Sequence, residues 1–348
     1  MSVMSAQPSG LHKSGHLPRW APVGLLVGAI VVAYLLSLVT PISGKAGTLV
    51  VAALLYVAGT AALSTTVEGR RRAKDRTVQS LVYVTIVLAI APLVSVIATV
   101  ISKGVGRFDG DFFTHSMNGI GPFDLNGGAY HAIIGTLEQV GIATLISVPL
   151  GLLAAVYIVE YGRGRLATTI RFFVDVMTGI PSIVAGLFIL SFWVLGLGFG
   201  YSGFAASLAL VVLMLPTVIR STEEMLRLVP DPLREGSYAL GVPQWRTILR
   251  VVIPTALPGI TTGVMLGVAR ITGETAPVIL TAFGNPAING SPFSGLQESL
   301  SLFVYQQASD SAKGAIPRAW TAALTLILIV MALNLIARLL TRRNRLSR

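Results

Sequence analysis

The stretch Val176–Ile219, VMTGIPSIVAGLFILSFWVLGLGFGYSGFAASLALVVLMLPTVI, carries no charged residue across 44 positions. A single helix of that length would reach about 66 Å, about twice the hydrocarbon thickness of a bilayer. The stretch is therefore read as two membrane spans, 176–196 and 203–219. They join at Gly196-Leu-Gly-Phe-Gly-Tyr-Ser-Gly203, where glycine tolerates the positive φ that a turn needs. Apolar runs of helical length are what a lipid solvent demands, and they set the fold class: an all-α, polytopic membrane protein.

Outward from this stretch the pattern repeats. Apolar runs at 21–39, 47–67, 78–101, 132–158, 257–280 and 319–340 bring the expected total to eight spans. Of 348 residues 53% are hydrophobic and 12% charged, against about 25% charged in soluble domains. The net charge of +11 does not mark a nucleic-acid binder, because the basic residues sit in short blocks between apolar runs. Segments 1–20, 64–78, 160–172, 220–256 and 338–348 hold 20 of the 26 Lys and Arg residues. By the positive-inside rule both termini are expected in the cytoplasm of a multi-pass plasma-membrane protein. The run 21–39 has no small-residue cleavage site after it and reads as an uncleaved span. The charge run Glu68–Arg76 reads as a solvated cytoplasmic loop. With no cysteine, neither disulfides nor thiolate metal sites are available. His12, His16, His115 and His131 lie outside the apolar runs and never at metal-ligand spacing, so no cofactor is expected.

The polar segment 220–256 is long and patterned. Asp231 can cap a helix opening at Pro232, which should end at Leu240 because Gly241 suits the left-handed position beyond a helix. A second short helix follows Pro243, with Trp245, Ile248, Leu249 and Val252 on one apolar face, and Pro254 is expected to end it. Two short helices outside the membrane form a docking element that a simple pore would not need. The spacing Glu235-Gly236-Ser237-Tyr-Ala-Leu-Gly241, then Val251-Val-Ile-Pro254, resembles the coupling loop of permeases from binding-protein-dependent ABC importers. It departs in four places: Gly236 and Ser237 stand for two alanines, Val251 for isoleucine and Ile253 for leucine. In that family the loop inserts a helix into a groove of the ATPase subunit, with Glu235 and Gly241 at the matching positions.

Within the family, Gly179-Ile-Pro-Ser-Ile-Val-Ala-Gly-Leu-Phe188, Leu233–Gly241 and Ala269-Arg-Ile-Thr-Gly-Glu-Thr-Ala-Pro277 are similar to the permeases of high-affinity phosphate importers. Tyr157–Tyr161, Glu274–Pro277 and Leu333–Ala337 resemble the A-type permease more than its C-type partner. The resemblance covers about 75–342. It implies a six-helix importer core, an ATPase subunit in two copies, a related C-type permease and an extracytoplasmic phosphate-binding protein. Membrane lipid surrounds such a chain, and nucleic acid is not a partner. The regions expected are 1–76, an extension with two spans; 77–131, the first core helix and an external loop; 132–340, the permease domain; and 341–348, a basic cytoplasmic tail.

The span 257–280 carries the chemistry. At 100° per residue, Gly259, Gly263, Gly267, Arg270 and Glu274 share one face about 80° wide. Arg270 and Glu274 would each cost about 2.5–3.5 kcal/mol at mid-bilayer, so this face is expected to point into the bundle. Pro277 should bend the helix and free a carbonyl near Thr275. A guanidinium matches two phosphate oxygens at once, so Arg270, Glu274 and Thr275 are the candidate substrate pathway. The same pair could instead be a structural ion pair. Glu138 reads as an interfacial or loop-bonded glutamate, and Asp175 as a structural acid at a helix start beside Arg171. No phosphate-binding glycine loop for ATP occurs, since Gly44-Lys45-Ala46 lacks the hydroxyl, and no nucleophile–base pair lies at membrane depth. The chain is therefore not read as an enzyme. An importer permease for another small anion and an ion-coupled secondary carrier are the rival functions.

Overall fold

The structure, a computed structural model, describes residues 16–39, 44–162 and 164–346. Their regular elements are all helical, with one isolated parallel bridge between Phe283 and Gln297. Two compact units divide at Ala98/Thr99. Among the described residues seven helices are long and apolar enough to cross a membrane, and the bent pair Arg165–Thr178 and Ser182–Gly196, counted as one span, makes eight. His12 and the charged side chains of 341–348 lie outside the described residues.

In the first unit α1 (Ala21–Val39) and α2 (Lys45–Val67) form a hairpin, and α3 (Arg70–Gly104) begins after a two-residue break. Small residues let α1 and α2 approach: Ala29 and Ala33 are buried, and a Cβ on Gly59 would touch Leu25. Glu68–Arg76 is not a solvated loop. Only Glu68 and Gly69 (φ +85°) stand outside helices, and Glu68 is buried. Its carboxylate accepts from the Leu17 N–H, Ser64 Oγ and Arg76, each near 2.9 Å. Hydrogen bonding from Arg76 drives the carboxyl down to about 2.

The second unit holds α4 (Gly110–Thr114), α5 (Tyr130–Val156) extended by a π turn at Tyr157–Tyr161, and α6 (Arg165–Thr178). Next come α7 (Ser182–Ile189) with a π turn at Leu190–Gly196, α8 (Gly203–Arg227), α9 (Asp231–Ala239) and α10 (Gln244–Thr247). A third π turn, Ile248–Val252, leads into α11 (Ile253–Thr272), followed by α12 (Ala276–Thr281), α13 (Leu300–Ser309) and α14 (Ala315–Leu346). The central helix is α8, whose buried face runs from Gly203 to Leu226 and is packed by α5 and α11. Glycine sets these contacts: a Cβ on Gly151 would meet Val218, and Cβ atoms on Gly259, Gly263 and Gly267 would meet Met225, Ser221 and Met214 of α8.

Three expectations about prolines and helix ends change as well. The fifth span is not one helix over 176–196: α6 starts at Arg165 and meets α7 at 108° across Gly179-Ile180-Pro181. Proline pushes the preceding residue out of helical conformation, which ends α6 there. Pro254 does not end a helix either. Gln244–Thr272 runs on through Pro254 and Pro258, because the wide π turn absorbs the missing N–H. That turn also divides the apolar face, burying Ile248 and Val252 while Trp245 and Leu249 stay exposed. Finally, Pro277 does not bend a continuous helix. The break is at Gly273–Thr275, and Pro277 sits in the first turn of α12, where its missing N–H is harmless.

Candidate functional site

Outside the spans α9 is closed at its C-terminus by Gly241, at φ +76°. The Gly241 N–H donates to the Tyr238 carbonyl (2.9 Å) and the Val242 N–H to that of Ser237 (3.2 Å). This is a Schellman stop, as the position of glycine in the sequence foretold. Asp231 does not cap the helix; its side chain accepts from Arg234 Nη1 at 3.2 Å. Glu235 and Gly236 are exposed, and a Cβ on Gly236 would meet nothing within 4 Å.

The inner face of α9 is tied down. Arg234 donates to Glu160 in the π turn after α5 (3.0 Å) and to the carbonyls of Leu226 (2.9 Å) and Val229 (2.6 Å). Gln244 Nε2 donates to the Glu160 carbonyl at 2.8 Å. Ser237 Oγ and Thr247 Oγ1 lie 2.8 Å apart, linking α9 to α10. Glu160, Arg227, Arg234, Tyr238 and Gln244 line a cavity of about 980 Å3 here. Asp175 pairs with Arg220 rather than Arg171, and lies late in α6 rather than at a helix start. Arg171 instead bonds Glu223 at 3.3 Å, which also takes Arg227 at 2.6 Å.

At the other end of α11, Arg270 Nε and Glu274 Oε1 are 4.0 Å apart. The glycine part of this face is buried on α8, but the Arg270 side chain is 48% exposed and that of Glu274 19%. Thr275, half-buried, stands just before α12 without a side-chain capping bond, and its carbonyl accepts from the Ile279 N–H at 3.0 Å. Pro254 and Arg270 stand sixteen residues apart on α11, about 24 Å, so the coupling loop and the charge pair occupy opposite ends of one helix.

A buried polar cluster beside the break escaped the sequence reading. Ser301 Oγ donates to the Glu274 carbonyl (2.9 Å), and Thr136 Oγ1 accepts from the Leu300 N–H (2.7 Å) at the start of α13. Gln139 Nε2 bridges Gln297 Oε1 (3.1 Å) and the Glu298 carbonyl (3.3 Å), while Gln297 Nε2 donates to Glu138 at 2.5 Å. Glu138 is thus bonded to a loop, one of the two roles expected. Glycine admits that loop: a Cβ on Gly135 would lie 2.0 Å from the Glu298 carbonyl, and one on Gly203 1.8 Å from Gln297 Oε1. Burial pushes the Glu298 carboxyl up to about 8. Gln139, next to Glu138 in a mostly apolar span, was the available signal. His131 is not outside the spans; it is buried in the first turn of α5, its ring 5.5 Å from Phe303.

A family model described as binding-protein-dependent transport system inner membrane component matches residues 147–346. The phosphate transport system permease protein PstA 1 of Mycobacterium tuberculosis (strain ATCC 25618 / H37Rv) is 49% identical over 284 residues, 80% of this chain and 92% of that one. The phosphate transport system permease protein PstA of Pasteurella multocida (strain Pm70) is 37% identical over 270 residues, 77% and 95% of the two chains. A crystal structure of a bacterial ABC transporter involved in the import of the acidic polysaccharide alginate aligns with a TM-score of 0.55. It covers 79% of this chain and 99% of that one at 16% identity, a likeness of fold.

Proposed function

We propose that this chain, which belongs to the family of binding-protein-dependent transport system inner membrane components, is the multi-pass permease subunit of an ATP-driven importer for inorganic phosphate. ATP hydrolysis falls to a separate subunit, and an external substrate-binding protein delivers the cargo. The observation that carries the permease reading is the braced helix α9, exposed outward at Glu235 and Gly236 and fixed inward by Arg234 to Glu160. The phosphate cargo rests on the phosphate permeases that align over most of this chain.

The contacts suggest how force is passed. A pull on α9 reaches α5 through Arg234–Glu160 and the α10–α11 helix through Ser237–Thr247. That helix ends at Thr272, beside the break that carries Glu274 and Thr275. Arg270 offers phosphate its fork of donors, and Glu274 holds it when no anion is bound. The half-exposure of Arg270 and the 4.0 Å separation favour this role over a tight structural pair. The start of α13, a positive helix end tied to the break through Ser301, adds further attraction for an anion. Glu235, Gly236, Ser237 and Gly241 form the ATPase contact, Pro254 lies within the helix that carries the motion, a C-type permease completes the pair, and both termini are cytoplasmic. Residues 1–76 form an accessory extension, 77–131 the first core helix and external loop, 132–340 the permease domain and 341–348 a basic tail.

Labelled phosphate uptake in cells lacking and then regaining this chain tests the assignment. Uptake should vanish and return, and the restored chain should co-purify with an ATPase subunit. Unchanged phosphate uptake with lost sulfate uptake would transfer the reading to another anion.

A further inference from the structure

The first unit carries two features that phosphate movement does not use. Between α1 and α2 lies an open groove of about 550 Å3, floored by Ala21, Gly24, Gly28 and Ala29 and flanked by Leu55 and Leu63. Its lining is almost wholly apolar, and the exposed Trp20 stands at one end with Leu17. From Ala21 to Val32 it follows α1 for about 17 Å, close to half of the about 30 Å hydrocarbon core. The groove therefore has the depth of one leaflet.

The second feature is charge at the same end. The first turn of α3 is Arg70-Arg71-Arg72 and holds no acid. A helix N-terminus is the positive end of the dipole and favours acids, so a run of basic residues there favours a nearby anion. Arg72 has partners of its own, among them the His16 ring at 3.5 Å. The neighbouring acid, Glu68, is already committed to Arg76, Ser64 and the Leu17 N–H. Because Leu17 is on the groove's rim, that bond sets the start of α3 beside the groove mouth. Arg70, Arg71 and Lys74 are exposed and form no ion pair among the described residues; Asp75 is the other acid nearby.

We propose that the groove and the arginine-rich turn together bind an anionic phospholipid, with an acyl chain along α1 and the phosphate headgroup on Arg70, Arg71 and Lys74. A block of charge obeying the positive-inside rule needs no groove at its own level. A partner helix crossing the membrane would need a groove running past Val32. A lipid of one leaflet needs the two features seen, at the depth seen.

The full chain in phosphatidylcholine vesicles, doped with phosphatidylglycerol bearing a photoreactive acyl chain, tests this by mapping the labelled peptides. Labelling should centre on Gly24–Val32 and exceed that by the matching phosphatidylcholine probe, with a loss of about fivefold for each basic residue removed. Arg70→Gln/Arg71→Gln/Lys74→Gln should erase the headgroup preference. Gly28→Phe should block labelling by both probes, since a Cβ there meets nothing within 4 Å and a ring can fill the groove. The Gly28→Phe arm keeps every charge, so it stands if the triple variant fails to insert. Equal labelling by the two headgroups would overturn the proposal. So would absence of α1 labelling, which would mean protein covers the groove, or displacement by inorganic phosphate, which would mean a soluble anion is the ligand.

Discussion

The Arg234 guanidinium on α9 holds one carboxylate oxygen of Glu160 through both Nε (3.2 Å) and Nη2 (3.0 Å), across 74 positions of sequence. Their side chains are 13% and 5% exposed, so the pair is largely screened from water. Removing one partner of such a pair strands the other and costs about 3–5 kcal/mol, whereas removing both can be neutral. Glu160→Gln should lower the melting temperature and cut phosphate uptake at least about tenfold, with the ATPase still bound. The double variant Glu160→Gln/Arg234→Gln should regain stability but not uptake, because the brace is gone. Full uptake in the double variant would show that the bond only supports the fold.

Gly241 tests the docking face. At φ +76° a residue with a Cβ is strained by about 1–2 kcal/mol, and an aspartate adds a charge beside the helix end. Gly241→Asp should leave the chain in the membrane while the ATPase no longer co-purifies. Gly236→Ala, placed where there is open space, should leave ATPase binding intact in the same pull-down.

Glu298 predicts a pH dependence. Its carboxyl is pushed by burial from 4.5 to about 8, with N–H bonds from Ser299 and Asn285 only partly opposing this. Below pH 4.5 both folded and unfolded chains are protonated there. Between 4.5 and about 8 the folded chain keeps a proton that the unfolded chain releases, so stability falls as pH rises through this window. Glu298→Gln should flatten that slope in melting curves taken at about pH 5.5 and 7.5. An unchanged slope would place the proton elsewhere.

Much of the fold was legible because lipid imposes simple rules. Val176–Ile219 had to contain two helices, and Gly241 had to end one, since length and local backbone freedom decide these. The 108° bend at Gly179–Pro181 was hidden within that same apolar run. It depends on what α7 packs against: a Cβ on Gly186 would lie 2.7 Å from Pro277 Cα. The continuation through Pro254 was hidden because a π turn leaves no mark in hydropathy. Nothing in the sequence joins Arg234 to Glu160, 74 positions away, or marks Glu298 as buried; the fold does both, with Gly135 and Gly203 letting the loop of Glu298 inside.

Arg270 and Glu274 separate transport from packing. Arg270→Ala should abolish uptake with insertion and subunit assembly near normal, and Arg270→Lys should give weak uptake because an ammonium lacks the planar fork. If the pair serves packing alone, Arg270→Gln/Glu274→Gln should restore both assembly and uptake. Restored uptake in that double variant rejects the pathway role.

Labelled phosphate flux in proteoliposomes measures where the energy for transport comes from. The vesicles would hold this chain with its ATPase, paired permease and phosphate-binding protein. Phosphate movement should require ATP on the ATPase face, persist when proton and sodium gradients are collapsed, and stop with Gly241→Asp. Gradient-driven phosphate movement by this chain alone, without ATP, would contradict an ATP-driven importer.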